Sequence, residues 1–97
     1  MIAILIEFDV KPECRDEFER LLRRDARSTL NDAGCLRMEI LLPRLVNESG
    51  GCRIVLSELW QDQQSIENHR NKPGHSHAWQ EPLLNGKRVT ACDVLQN

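Results

Sequence analysis

The stretch Ile2-Ala3-Ile4-Leu5-Ile6-Glu7-Phe8-Asp9-Val10 alternates, with Ile2, Ile4, Ile6, Phe8 and Val10 on one side and Ala3, Leu5, Glu7 and Asp9 on the other. A period of two with one wholly apolar side is the pattern of a strand lying on a core. Lys11-Pro12-Glu13 follows as a turn and an acidic helix start, after which Cys14, Phe18, Leu21, Leu22, Ala26 and Leu30 recur at helical spacing to about residue 32. Glu19 and Arg23 form an i,i+4 pair that supports the solvent face of this helix. Asn31-Asp32-Ala33-Gly34 ends it, with a glycine suited to the left-handed conformation.

Outward from this βα start the pattern returns to a period of two. Leu36, Met38, Ile40 and Leu42 alternate with Arg37, Glu39 and Leu41 until Pro43 stops the run. The cluster Asn47-Glu48-Ser49-Gly50-Gly51 reads as the turn of an antiparallel hairpin with a third strand, Cys52 to Trp60, on which Cys52, Ile54, Leu56, Glu58 and Trp60 share a face. Asp62 is placed to cap a short helix to about Asn71, broken by Lys72-Pro73-Gly74. A further helical segment is expected from about His75 to Leu84, kinked by Pro82, before a last strand from Lys87 to Leu95. The order βαββαβ predicts an α+β, ferredoxin-like sandwich, an antiparallel sheet with helices on one face.

The chain has 97 residues, 40% hydrophobic and 29% charged, which is the size and composition of a single domain over residues 1–97. A core this thin favours self-association, and Leu5, Val55 and Leu59, on the strand faces turned away from the helices, are where a second copy would pack. With 13 Lys+Arg against 15 Asp+Glu the chain lacks the basic excess of a nucleic-acid binder. The apolar opening has no basic stretch before it and is interrupted by Glu7, too short for an export signal or a membrane span, so a cytoplasmic protein is expected. Cys14, Cys35, Cys52 and Cys92 stand far apart with no CxxC pair, which predicts free, reduced thiols.

Ligands enter sandwiches of this kind between sheet and helices, so polar residues interrupting apolar faces there are the candidates. Glu58 is one, because burial would raise its pKa and suit it to proton transfer. His69 is another, an i,i+3 neighbour of Ile66 on the inner side of the short helix. His69, His75 and His77 invite a metal, but on a helix residues two apart diverge by about 200°, so His75 and His77 would chelate together only from a loop. No metal site is expected. Trp60 and Trp79 are two of the few aromatic side chains, either core or a wall on which a planar substrate stacks.

These residues carry a resemblance. Ile6-Glu7-Phe8-Asp9-Val10-Lys11-Pro12-Glu13, Glu17-Phe18, Gly34-Cys35-Leu36-Arg37, Glu58-Leu59-Trp60, and His69 followed by Pro73 and His75 resemble, in order and spacing, the antibiotic biosynthesis monooxygenase (ABM) domain over nearly the whole chain. The resemblance implies a dimeric α+β barrel whose protomers pack sheet against sheet, each with its own pocket. Members include quinol and anthrone oxygenases that need no metal or flavin, haem-degrading enzymes, and an enzyme acting on a phosphorylated signalling metabolite.

Carried over position by position, His69 matches the family's helix histidine, Glu58 and Trp60 its Glu-x-Trp strand end, and His75 its Pro-His, displaced here by Gly74. The haem-degrading branch expects an asparagine on the first strand, where this chain has Glu7 or Asp9. The resemblance therefore implies an oxygenase of a small aromatic or enolisable substrate without a cofactor. In it, His69 is the base, Glu58 orients it or shuttles protons, and Trp60, His75 and Trp79 bind substrate. An isomerase of an enolisable metabolite and a non-catalytic dimer binding a small ligand or haem are the alternatives.

Overall fold

A computed structural model describes residues 1–44 and 52–95. Strand β1 (Ile2–Val10) leads through a single 3-10 turn at Pro12–Cys14 into helix α1 (Arg15–Thr29), then strands β2 (Cys35–Leu41) and β3 (Cys52–Trp60). Helix α2 (Gln63–Arg70), a 3-10 turn at Glu81–Leu83 and strand β4 (Leu84–Asp93) complete the order. The strands form one antiparallel sheet, β2-β3-β1-β4, so β1 has a neighbour on each side while α1 and α2 lie across one face. This is the expected ferredoxin-like fold. The hairpin turn at residues 47–51 lies outside the described residues.

The alternation in β1 is realised as read: Ile4, Ile6, Phe8 and Val10 are buried and face the helices. Phe18 and Leu22 of α1 are fully buried above them, and Phe18 meets Phe8 edge-on with ring centroids 4.9 Å apart. Leu30 falls at the end of α1, where the helix leaves the core, and is exposed. Glu19 and Arg23 pair at 2.7 Å.

Two local expectations need correction. A bulge between Cys35 and Arg37 shifts the register, so Cys35 pairs with Trp60, and Leu36, which the alternation groups with Met38 and Ile40, is 49% exposed. The segment from His75 is not helical. His75–His77 is irregular backbone, only the turn at Glu81–Leu83 is helical, and β4 begins at Leu84 rather than Lys87. Gly74 takes φ +84° just before it, and Pro82 has no amide hydrogen to continue a helix.

Gly34 holds the two helices together. Its φ is +85°, and an added Cβ would lie 2.0 Å from Ser65 Oγ in the first turn of α2. That turn is fixed as predicted by Asp62, whose carboxylate accepts from the Ser65 amide at 2.8 Å. Glycine is thus required for both conformation and close approach. On the far face of the sheet Leu5 and Leu41 are exposed, and Glu7 lies between Arg53 and Arg88. The four cysteines are free thiols. Among the described residues no helix is long and apolar enough to cross a membrane.

Candidate active site

A cavity of about 200 Å³ opens between the sheet and α2, walled by Glu58 and Trp60 of β3, His69 and Ile66 of α2, His75 and His77 of the following loop, and Lys87 of β4. Each element contributes for a local reason. Glu58 occupies a core-facing position of β3, paired with Ile4 and Met38, and is only 9% exposed. Two residues on, the same face carries Trp60, fully buried, whose indole N–H donates to Glu58 Oε1 at 2.8 Å. Burial pushes the Glu58 carboxyl above the ordinary range, although the indole hydrogen bond and the charge of His69 pull the other way.

His69 is held from outside its own helix. Its Nδ1 lies 2.5 Å from Oδ2 of Asp32, in the loop after α1, and both side chains are about 15% exposed or less. A carboxylate only accepts, so the imidazole presents its Nδ1–H to Asp32 and, when neutral, keeps Nε2 as the one ring nitrogen able to take a proton. The other Asp32 oxygen receives Lys72 Nζ at 2.8 Å. Burial opposes ionisation of Asp32, but the hydrogen bonds and charges of Lys72 and His69 outweigh it and hold its pKa below 3.8. Asp32 was not singled out in the sequence, where Asn31–Gly34 reads only as a helix-ending turn. The sequence carries no signal for it, because this turn meets the start of α2 only in the fold, at Gly34 and Ser65.

The orienting partner of His69 is therefore Asp32 and not Glu58, whose bonded partner is Trp60. The Trp60 ring stands 5.2 Å from that of His69. The His75 ring lies 4.5 Å from that of His69 and the His77 ring 4.6 Å from that of His75, each edge-on to the last. Burial keeps both His75 and His77 below the usual imidazole pKa of 6.5, with His69 lowering His75 and Lys87 lowering His77 further. Glu58, Trp60, His69 and His75 thus share the cavity, and His77 joins them. Trp79 does not line it; its ring packs on Phe18, 5.6 Å between centroids.

The loop conformation of His75–His77 removes the helical objection to joint chelation. Even so, among the described residues no group of three His, Cys, Asp or Glu side chains is arranged to hold a metal ion. An oriented imidazole and a buried carboxyl facing one small space are groups able to transfer protons.

The ionisation of Glu58 predicts a stability effect. A carboxyl whose pKa is higher in the folded than in the unfolded chain stabilises the fold fully below the unfolded value near 4.5 and loses that stability as pH rises through its folded pKa. Glu58→Gln, which keeps an acceptor for the indole, should raise the melting temperature at pH 7, with the gain vanishing as pH falls towards 4.5. A variant less stable than wild type at pH 7 would show that ionised Glu58 is not costly.

The antibiotic biosynthesis monooxygenase family model matches residues 1–81. The chain belongs to the ABM family. Solved structures agree in fold. A Deinococcus radiodurans protein provisionally named an antibiotic biosynthesis monooxygenase superposes with TM-score 0.83 at 19% identity, covering 100% of this chain and 95% of its own. Rv0793 from Mycobacterium tuberculosis gives 0.79 at 22% identity, with 99% and 96% covered. PA3566 from Pseudomonas aeruginosa gives 0.80 at 21%, with 98% and 94% covered. No protein of curated function matches the chain. ABM membership brings monooxygenase chemistry into view for this cavity, and at these identities the structures speak for the fold alone.

Proposed function

We propose that this ABM domain is a cofactor-independent monooxygenase of a small aromatic or enolisable substrate of the quinol or anthrone type. The observation that carries the proposal is the Asp32–His69 pair facing the buried Glu58 across one cavity. Nε2 of His69 takes a proton from the activated carbon, and Asp32 keeps the imidazole in the tautomer that accepts it and steadies the charge it gains. The resulting carbanion passes an electron to dioxygen and the two radicals combine into a C–O bond. Glu58, held protonated towards higher pH by burial, gives the peroxide its proton.

Loss of the second hydrogen on that carbon then breaks the O–O bond and releases water. For an anthrone CH₂ the sum is R₂CH₂ + O₂ → R₂C=O + H₂O, with all four electrons supplied by the substrate. No metal or flavin is needed for this balance. Trp60, fully buried beside His69, backs the cavity wall and holds Glu58 in place, and the His75 ring next to His69 is the group that meets the substrate there.

Oxygen uptake with anthrone tests the reading. The expected result is one O₂ consumed per anthraquinone formed, in buffer containing a chelator. Conversion of an enolisable substrate without oxygen uptake would replace the oxygenase with an isomerase, using the same acid and base.

The proposal includes a dimer packed sheet to sheet. The face away from the helices carries Leu5 and Leu41 exposed, beside the half-buried Val55 and Leu59. Sedimentation at micromolar concentration should give the mass of two chains, and Leu5→Arg should shift it to one. A wild-type monomer would contradict the arrangement.

A further inference from the structure

The cavity has a second chemical end. Lys87 of β4 pairs with Phe8 of β1, while Glu58 pairs with Ile4, four residues earlier on the same strand. At 3.3–3.4 Å per residue the two backbone positions are roughly 13 Å apart along the strand. Lys87, Gln80 and His77 also line an adjoining depression of about 280 Å³, so they stand where the two spaces meet.

Lys87 makes no contact ion pair among the described residues, and the carboxylates that act on it, Glu58 and Asp25, do so from beyond that distance. Its Nζ donates to Oε1 of Gln80 at 3.0 Å and stands 5.6 Å from the centroid of the Phe8 ring. Gln80 is itself buried, 4% exposed, so the acceptor that positions the ammonium is fixed by the fold, while the lysine itself is exposed and open to a ligand. An ammonium has three donors, and Gln80 uses one. His77 adds an imidazole able to donate a further hydrogen bond at the same place.

We propose that Lys87, positioned by Gln80, is an anion subsite: the molecule that places its reacting carbon at His69 carries a carboxylate or phosphate group at its other end. The substrate class is then a planar enolisable compound with one oxyanion substituent. The inference rests on the proposed function only in taking this cavity as the substrate site. Its test is made by binding without turnover, so it stands or falls separately from the oxygenase chemistry.

The probes are 2-naphthoate, 2-naphthyl phosphate and neutral 2-naphthalenemethanol, titrated calorimetrically into the full chain. Wild type should bind at least one anionic probe about tenfold or more tighter than the alcohol, the scale of one charge-assisted hydrogen bond, and the better of the two names the group. Lys87→Met should bring that ratio to within about twofold, while Lys87→Arg should retain it. Unchanged melting temperatures for both variants would separate loss of the subsite from loss of the fold. Equal affinity for charged and neutral probes in wild type, no saturable binding of the anionic probes, or a preference that survives in Lys87→Met and so belongs to Arg70, the last residue of α2 and also part of the cavity wall, would overturn the assignment.

Discussion

His69→Ala should lower turnover of any substrate of this cavity by roughly 10²–10⁴, the usual contribution of a positioned general base, while leaving the fold nearly untouched. The second half follows from the geometry around Asp32. Removing the imidazole does not orphan that carboxylate, because Lys72 remains bonded to its other oxygen at 2.8 Å. The cost of an unpaired buried acceptor, about 1–3 kcal/mol, is therefore avoided. Melting curves and oxygen uptake measured on the same preparations separate the two effects. A folded His69→Ala protein with wild-type turnover would eliminate the base, and a variant that fails to fold would make His69 a packing residue.

Trp60→Ala should have the largest effect on stability. The indole is fully buried at the end of β3, and truncating such a side chain costs about 3–5 kcal/mol because the space left behind does not collapse. The loss also strips Glu58 of its N–H donor. For a domain of this size each kcal/mol moves the melting temperature by about 4–8 °C, so a fall of at least about 12 °C is expected. Trp60→Phe keeps one aromatic ring, removes the N–H donor and leaves a smaller void than Trp60→Ala. It should recover most of the stability and raise the pKa of Glu58 further. A loss under about 1 kcal/mol in Trp60→Ala would mean that the indole neither fills the core nor supports the site.

Much of the architecture was legible because one face of the sheet is covered. Ile4 to Val10 alternate because every second side chain meets α1, and Phe18, Leu22 and Ala26 recur because α1 meets them in return. Where that cover ends, the pattern fades. On β4 the residues from Asn85 to Val89 are exposed throughout, so no apolar alternation marks its start at Leu84. Leu36 leaves the face of Met38 and Ile40 because alternation assumes a regular ladder and the bulge inserts a residue. The histidine loop was read as helix because the spacing of Trp79 and Leu83 is helical, although the two side chains reach the core from separate turns.

The site was half legible. Glu58 and His69 stood out as polar interruptions of apolar faces, a local signal. Asp32 lies 37 positions before His69, and their contact exists only because the loop after α1 is brought to α2 at Gly34 and Ser65. No spacing rule reaches that far along a chain. Lys87 carried no signal either, since its significance lies in what it faces across the sheet: Phe8, Gln80 and the depression adjoining the cavity.

The central claim is that this cavity inserts oxygen into carbon at the substrate's own expense, and labelling with ¹⁸O₂ tests it most directly. Wild-type protein turning over anthrone under ¹⁸O₂ in unlabelled water should give anthraquinone carrying one ¹⁸O atom, with the second recovered in water. Anthraquinone without the label, or formed no faster with wild type than with His69→Ala, would contradict the account.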